Sequence, residues 1–180
     1  MRRWFYLLVA LQLAFLLAQA GRSELDLRRG QVVVLKTAPV DPRSLFMGNY
    51  MRLGYEISRL DLSKLQHDSG LEEADWRQDV YVVLKPGKPY AQPVRVTASP
   101  PKGEPLPYLH GSVMYAEEKA LQVEYGLERY YIPETRQEQV NRLAGWGTPH
   151  PPEIAAEVVI THDGRGLIRR ILVEGKPLGF

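Results

Sequence analysis

Ser44, with Lys85 or another strand lysine, has the residue types for a nucleophilic reaction, a serine hydroxyl attacking a carbonyl with a lysine amine as its base. That chemistry needs a lysine buried enough to shed its proton near neutral pH. Ser44 follows Pro-Arg and precedes Leu-Phe, outside any S-M-x-P setting, and no Lys-Arg pair sits in a central strand. An ordinary loop serine is the simpler reading. Metal ligation has less behind it. His67, His110, His150 and His162 are far apart, and none belongs to an H-x-x-x-H or H-E-x-x-H pair. Each reads as a surface or turn residue. The acidic run Glu72, Glu73 and Asp75 reads as a solvated face. No metal and no cofactor is expected, and the absence of cysteine removes thiolate chemistry, disulfides and cysteine zinc sites.

Composition narrows the classes further. Hydrophobic residues make up 44% and charged residues 24%, which is globular rather than disordered. Of 23 basic residues, Arg2 and Arg3 lie in the leader, so the remainder balances 21 acidic side chains with 21 basic ones. A neutral body is a poor magnet for nucleic acid, and none is expected as a partner. At 180 residues the chain is long enough for one domain that buries its own core, with a short appendage.

The leader carries the strongest signal. After Arg2 and Arg3 come WFYLLVALQLAFLLAQA, residues 4–20, interrupted only by Gln12 and Gln19. As a helix these would span about 25 Å against a hydrocarbon core of roughly 30 Å, with flanking residues making up the difference. Two readings follow. In the preferred one, Arg2 and Arg3 hold the N-terminus in the cytoplasm and residues 4–20 remain in the lipid as an anchor, with Trp4 and Tyr6 near the interface. In the other, Ala18, Gln19 and Ala20 form an A-x-A cleavage pattern before Gly21. Either way, the rest of the chain lies outside the cytoplasm. Residues 21–30 are expected to be a charged juxtamembrane linker, and 31–180 the exported domain.

Past residue 30 the apolar pattern changes to period two. QVVVLK at 31–36 is β-branched, and Pro39 and Pro42 break it. In 50–58, Met51, Leu53, Tyr55 and Ile57 alternate with Arg52, Gly54, Glu56 and Ser58, which predicts a half-buried strand. Gly48 and Asn49 then turn the chain into it, since both tolerate positive φ. Tyr55 is expected in the core with a satisfied hydroxyl, and Tyr50 and Arg52 on the opposite face. Leu60, Leu62 and Leu65 predict a short helix or a loop. Further strands are expected at 79–85, 93–99, 108–115 and 120–126, separated by Pro- and Gly-rich turns. A surface helix is expected at 133–145, opened by Pro133 and capped by Gly145. A hairpin should pair 155–161 with 167–173 around Asp163 and Gly164. The predicted class is mainly β (α+β): an N-terminal transmembrane helix, then an antiparallel barrel- or sandwich-like domain with one or two short helices.

Gly48, Asn49, Tyr50, Leu53 and Tyr55, in the arrangement G-N-Y-x-x-L-x-Y, resemble the signature of the GDYXXLXY family of bacterial proteins. LKTAPVDPRSLFMG, VYVVLKPG, LQVEYGLERYYIPE and ILVEGKPL are also similar to blocks of that family, in its order. The resemblance implies a membrane-anchored protein of unestablished function; with the leader, the expected location is the bacterial inner membrane, single-pass, with the C-terminal domain in the periplasm or otherwise outside the cytoplasm. The resemblance also implies an association with polytopic membrane proteins. Asn49 stands where the family usually has Asp, which keeps a turn-forming side chain and removes a charge. The anchor followed by a serine ahead of a turn is distantly similar to a signal peptidase, so the alternative is an envelope hydrolase using Ser44 and Lys85. The favoured expectation is a binding or accessory protein using Gly48, Asn49, Tyr50, Arg52, Leu53 and Tyr55.

Overall fold

A computed structural model describes residues 2–38, 50–132 and 152–178. Its first element, α1 (Arg2–Arg29), is one continuous helix of 28 residues, about 42 Å long at 1.5 Å per residue. Within it, Tyr6–Asp26 is long and apolar enough to cross a membrane, and none of that window is buried against protein. The expected linker at 21–30 is therefore mostly helix. The helix thus continues past residue 20 through the charged stretch 21–29. Gly30 ends the helix, its N–H donating to the Asp26 carbonyl at 2.9 Å. A Cβ there would stand 2.3 Å from Val159 Cγ1 and 2.8 Å from the Ile160 carbonyl oxygen. Only glycine lets the helix become a strand over a single residue at that approach.

Among the described residues, thirteen strands follow. β1 (Gln31–Ala38), β3 (Gly54–Tyr55), β11 (Ile154–Ile160), β12 (Gly166–Val173) and β13 (Lys176–Pro177) form one sheet in the order β13-β12-β11-β1-β3. β4 (Arg59–Asp61), β5 (Gln66–His67), β6 (Asp79–Lys85), β7 (Gln92–Thr97), β8 (Tyr108–Glu117) and β9 (Ala120–Glu124) form the second, ordered β4-β9-β8-β6-β7-β5. β2 (Tyr50–Arg52) and β10 (Arg129–Tyr131) make a separate two-stranded ribbon. Pairing is antiparallel throughout except β5 with β7. The sheets curl around one apolar core as an open half-barrel. Leu35 and Val158 enter that core from the first sheet, and Val80, Val82, Leu109 and Leu121 from the second. Alternating valines and leucines do this because a strand sends successive side chains to opposite faces.

The expected strand in 50–58 keeps its inward set, since Met51, Leu53, Tyr55 and Ile57 are all buried. It is not one strand, however. β2 pairs with β10, β3 pairs with β1, and a 3-10 turn at Glu56–Ser58 delivers the chain to β4 on β9. This segment laces the ribbon and both sheets together, and the turn buries Ser58 against the period-two pattern. Leu60 and Leu62 continue into strand and turn rather than a helix. The helix expected at 133–145 lies outside the described residues.

The β11–β12 hairpin turns at Asp163 and Gly164 as predicted, and its turn clips the second sheet. Gly164 accepts a hydrogen bond from the His110 N–H at 2.8 Å, and the Tyr108 hydroxyl donates to the His162 carbonyl at 3.0 Å. Gly164 has φ +81°, and a Cβ there would lie 2.6 Å from the Tyr108 ring. Gly164→Ala should therefore cost about 1–2 kcal/mol for the left-handed backbone, plus the displacement of that ring. Gly175, at φ +72° with open space around it, supplies the control. Gly175→Ala should show the backbone cost alone, and thermal unfolding of both variants measures the difference. Equal losses would show that the Tyr108 contact contributes nothing.

Candidate functional site

The segment 50–58 clasps one turn, Tyr125 to Glu128, through three hydrogen bonds, and a fourth closes the turn on itself. The Tyr55 hydroxyl donates to the Leu127 carbonyl at 2.9 Å, and the Tyr125 hydroxyl donates to the Ile57 carbonyl at 2.6 Å. The Leu53 N–H donates to the Glu128 carbonyl at 2.8 Å, while the Glu128 carboxylate accepts from the Tyr125 N–H at 2.7 Å. Gly126 makes the turn at φ +75°. Burial pushes both phenols above their ordinary range, with the Glu128 charge adding to it. Both hydroxyls are thus fixed as neutral donors. Leu53 and Tyr55 shape the site from inside it.

Glu128 is the site's unusual acid. Desolvation raises its pKa above the ordinary carboxylate value, more than the backbone donors of the turn lower it. A carboxyl whose folded pKa is raised holds its proton more tightly in the folded state. Stability is then fullest below the unfolded pKa and falls as pH climbs through the higher folded one. Glu128→Gln, which keeps one acceptor for the Tyr125 N–H, should flatten that fall. Urea midpoints taken from acid to neutral pH test it; an unchanged slope would show that Glu128 is not its source.

Outside this buried clasp lies the ribbon. Met51 faces the core, whereas Arg52, Arg129 and Tyr131 are exposed. Arg52 stands opposite Arg129, and position 50 opposite Tyr131, so these share one face of the ribbon. The ribbon thus places two arginines directly across a strand pair. Arginine and tyrosine are also the residue types enriched at protein interfaces.

Ser44, Gly48 and Asn49 lie outside the described residues. Lys85 ends β6 opposite Gln92 with its side chain in solvent, not in the buried setting that a lysine base requires. Besides His162, whose Nδ1 is 4.0 Å from Asp26 Oδ1, two histidines have acidic partners that sequence spacing could not reveal. His67 Nε2 is 2.8 Å from Glu72 Oε1 and its Nδ1 is 3.0 Å from the Leu65 carbonyl; both contacts raise its pKa, the backbone one most. His110 lies 2.9 Å from Asp79 and stacks on Tyr81 at 5.1 Å between ring centres. The Asp79–His110 pair depends on the register of β6 against β8, which no local signal encodes. His162 is exposed on its turn, and His150 is not among the described residues. Among the described residues, no three His, Asp or Glu side chains gather as a metal-binding group.

Helix, half-barrel and clasp define a β-rich domain carried on an apolar N-terminal helix. The GDYXXLXY protein family matches residues 12–171, most of the chain, and the chain belongs to that family. No curated protein and no solved structure matches it.

Proposed function

We propose that this is a single-pass inner-membrane protein whose β domain lies on the far side from the cytoplasm and docks on a polytopic membrane protein. The apolar window Tyr6–Asp26 supports the span, and Arg2 and Arg3 ahead of it support a cytoplasmic N-terminus. The observation that carries the docking reading is the exposed row of Arg52, Arg129 and Tyr131 on a ribbon whose other face is anchored by buried Met51. A rigidly backed arginine-tyrosine surface suits a partner with an acidic, partly apolar patch. Gly48, Asn49 and Tyr50, next in sequence to Met51 and Arg52, are included in the proposed binding segment.

Chemical crosslinking in membranes, followed by purification and mass spectrometry, tests this reading. One defined polytopic protein should be recovered, and Arg52→Glu combined with Arg129→Glu should reduce its yield about tenfold through charge reversal at the rim. Recovery of the chain alone, or a partner captured equally by the charge-reversed variant, would refute the proposed face.

A further inference from the structure

The outer face of the second sheet carries an open cavity of about 460 Å³, remote from the ribbon in sequence and fold. Its apolar lining is Leu65, Val83, Val94 and Leu106, and its charged lining is Lys64, Arg95 and Glu104. Val83 is only 1% exposed yet is not part of the main core, whereas Leu65 packs against that core from the cavity's edge. The register of β6 on β7 slips between Val83 and Leu84: Val83 faces Arg95 and Leu84 faces Pro93, which leaves Val94 unpaired as a bulge. Bulges re-aim side chains and recur beside binding sites. Pro93 adds that the edge cannot donate a ladder hydrogen bond at this point.

Arg95 is the polar fixture. One end of its guanidinium is held by Glu104, which is itself mostly buried and also accepts the Leu106 N–H at 3.3 Å. Arg95 Nε is buried with no acceptor. A guanidinium offers five donors, and Glu104 engages one terminal nitrogen, so the fork retains capacity for a second carboxylate. Lys64 adds a cation at the rim, paired at 2.8 Å with Asp61. The lining as a whole carries two cations and one anion around an apolar floor.

We infer that this cavity binds a carboxylate joined to a short apolar body, the carboxylate on the Arg95 side and the apolar part on Val83, Val94 and Leu106. Free aliphatic acids and the C-terminal residue of a peptide share this chemistry. The inference does not depend on the docking reading above, since Arg52 and Arg129 take no part.

Equilibrium dialysis of the full chain in lipid nanodiscs, corrected for empty nanodiscs, tests it with four probes: octanoate, octanamide, acetyl-Leu-Leu and its C-terminal amide. Saturable binding of octanoate identifies the free acid as ligand, and of acetyl-Leu-Leu the peptide end; each neutral amide should bind about tenfold more weakly, having lost a charge-assisted contact. Val94→Trp, which fills the cavity from its half-buried bulge, should abolish binding. Arg95→Met with Glu104→Leu, which removes both charges and leaves neither buried alone, should weaken it to the level of the amides. Lys64→Glu, at an exposed rim position, keeps the charge requirement testable if the double variant does not fold, and should also weaken binding. No saturable binding of either acid, equal binding of acids and amides, or binding that survives Val94→Trp would each overturn the assignment.

Discussion

Tyr55→Ala should be the most damaging single change in the β domain, with an expected loss of about 3–5 kcal/mol, the range for deleting a buried aromatic ring. Tyr55 is 2% exposed and packs where β3 passes from the ribbon to the first sheet, so the surroundings cannot collapse without moving both. The variant also leaves the Leu127 carbonyl without its hydroxyl donor. Tyr55→Phe separates the two contributions. It keeps the ring and loses only the hydrogen bond, for an expected cost of about 1–2 kcal/mol. Tyr125→Phe should cost a similar amount, because its hydroxyl donates to the Ile57 carbonyl from the other side of the same clasp. The double Phe variant should depart from additivity, since both bonds hold one turn. Urea denaturation of the full chain, followed by tryptophan fluorescence, measures all four. Since a whole domain is stable by about 5–15 kcal/mol, the alanine variant should unfold in very mild conditions. An alanine variant within 1 kcal/mol of the parent, well below the cavity range, would show that the clasp is not central to the fold.

The second large effect belongs to α1. Its apolar window has a mean hydropathy of 1.3, enough for a span with little in reserve. Leu16 lies near the middle of Tyr6–Asp26 and is exposed, so replacing it removes nothing from the packed domain. An aspartate at the centre of a span costs roughly 2.5–3.5 kcal/mol on the insertion scale. Leu16→Asp should therefore shift the chain from the membrane-embedded fraction to the extractable one in alkaline extraction and vesicle flotation. Domain stability, read by the same urea titration, should be unchanged. Leu16→Asp chains that stay embedded like the parent would argue against a membrane span in α1.

Much of the strand content was readable because hydrophobic alternation is local. Residues 79–85 and the hairpin around Asp163 and Gly164 appear where valine, isoleucine and turn chemistry put them. Segments too short to show a period were missed: β5, β10 and β13 span two or three residues each and exist through their neighbours' open edges. The break of 50–58 into pieces was also invisible. Its inward residues keep one parity from Met51 to Ile57, while the strand they pair with changes twice, and pairing is a non-local choice. For the site, the signature marked the right segment, yet its clasp partner, the Tyr125–Glu128 turn, lies some seventy residues away.

By itself the sequence determined an apolar N-terminal helix, a neutral β-rich body and a family signature, because each follows from residue type and spacing along the chain. Tertiary structure alone decided that Tyr55 and Tyr125 each hold the other's turn, that Arg52 stands beside Arg129, and that Val83, Val94 and Arg95 help line a cavity. Those arrangements are set by which strands meet and in what register, and that outcome depends on the packing of the whole core at once.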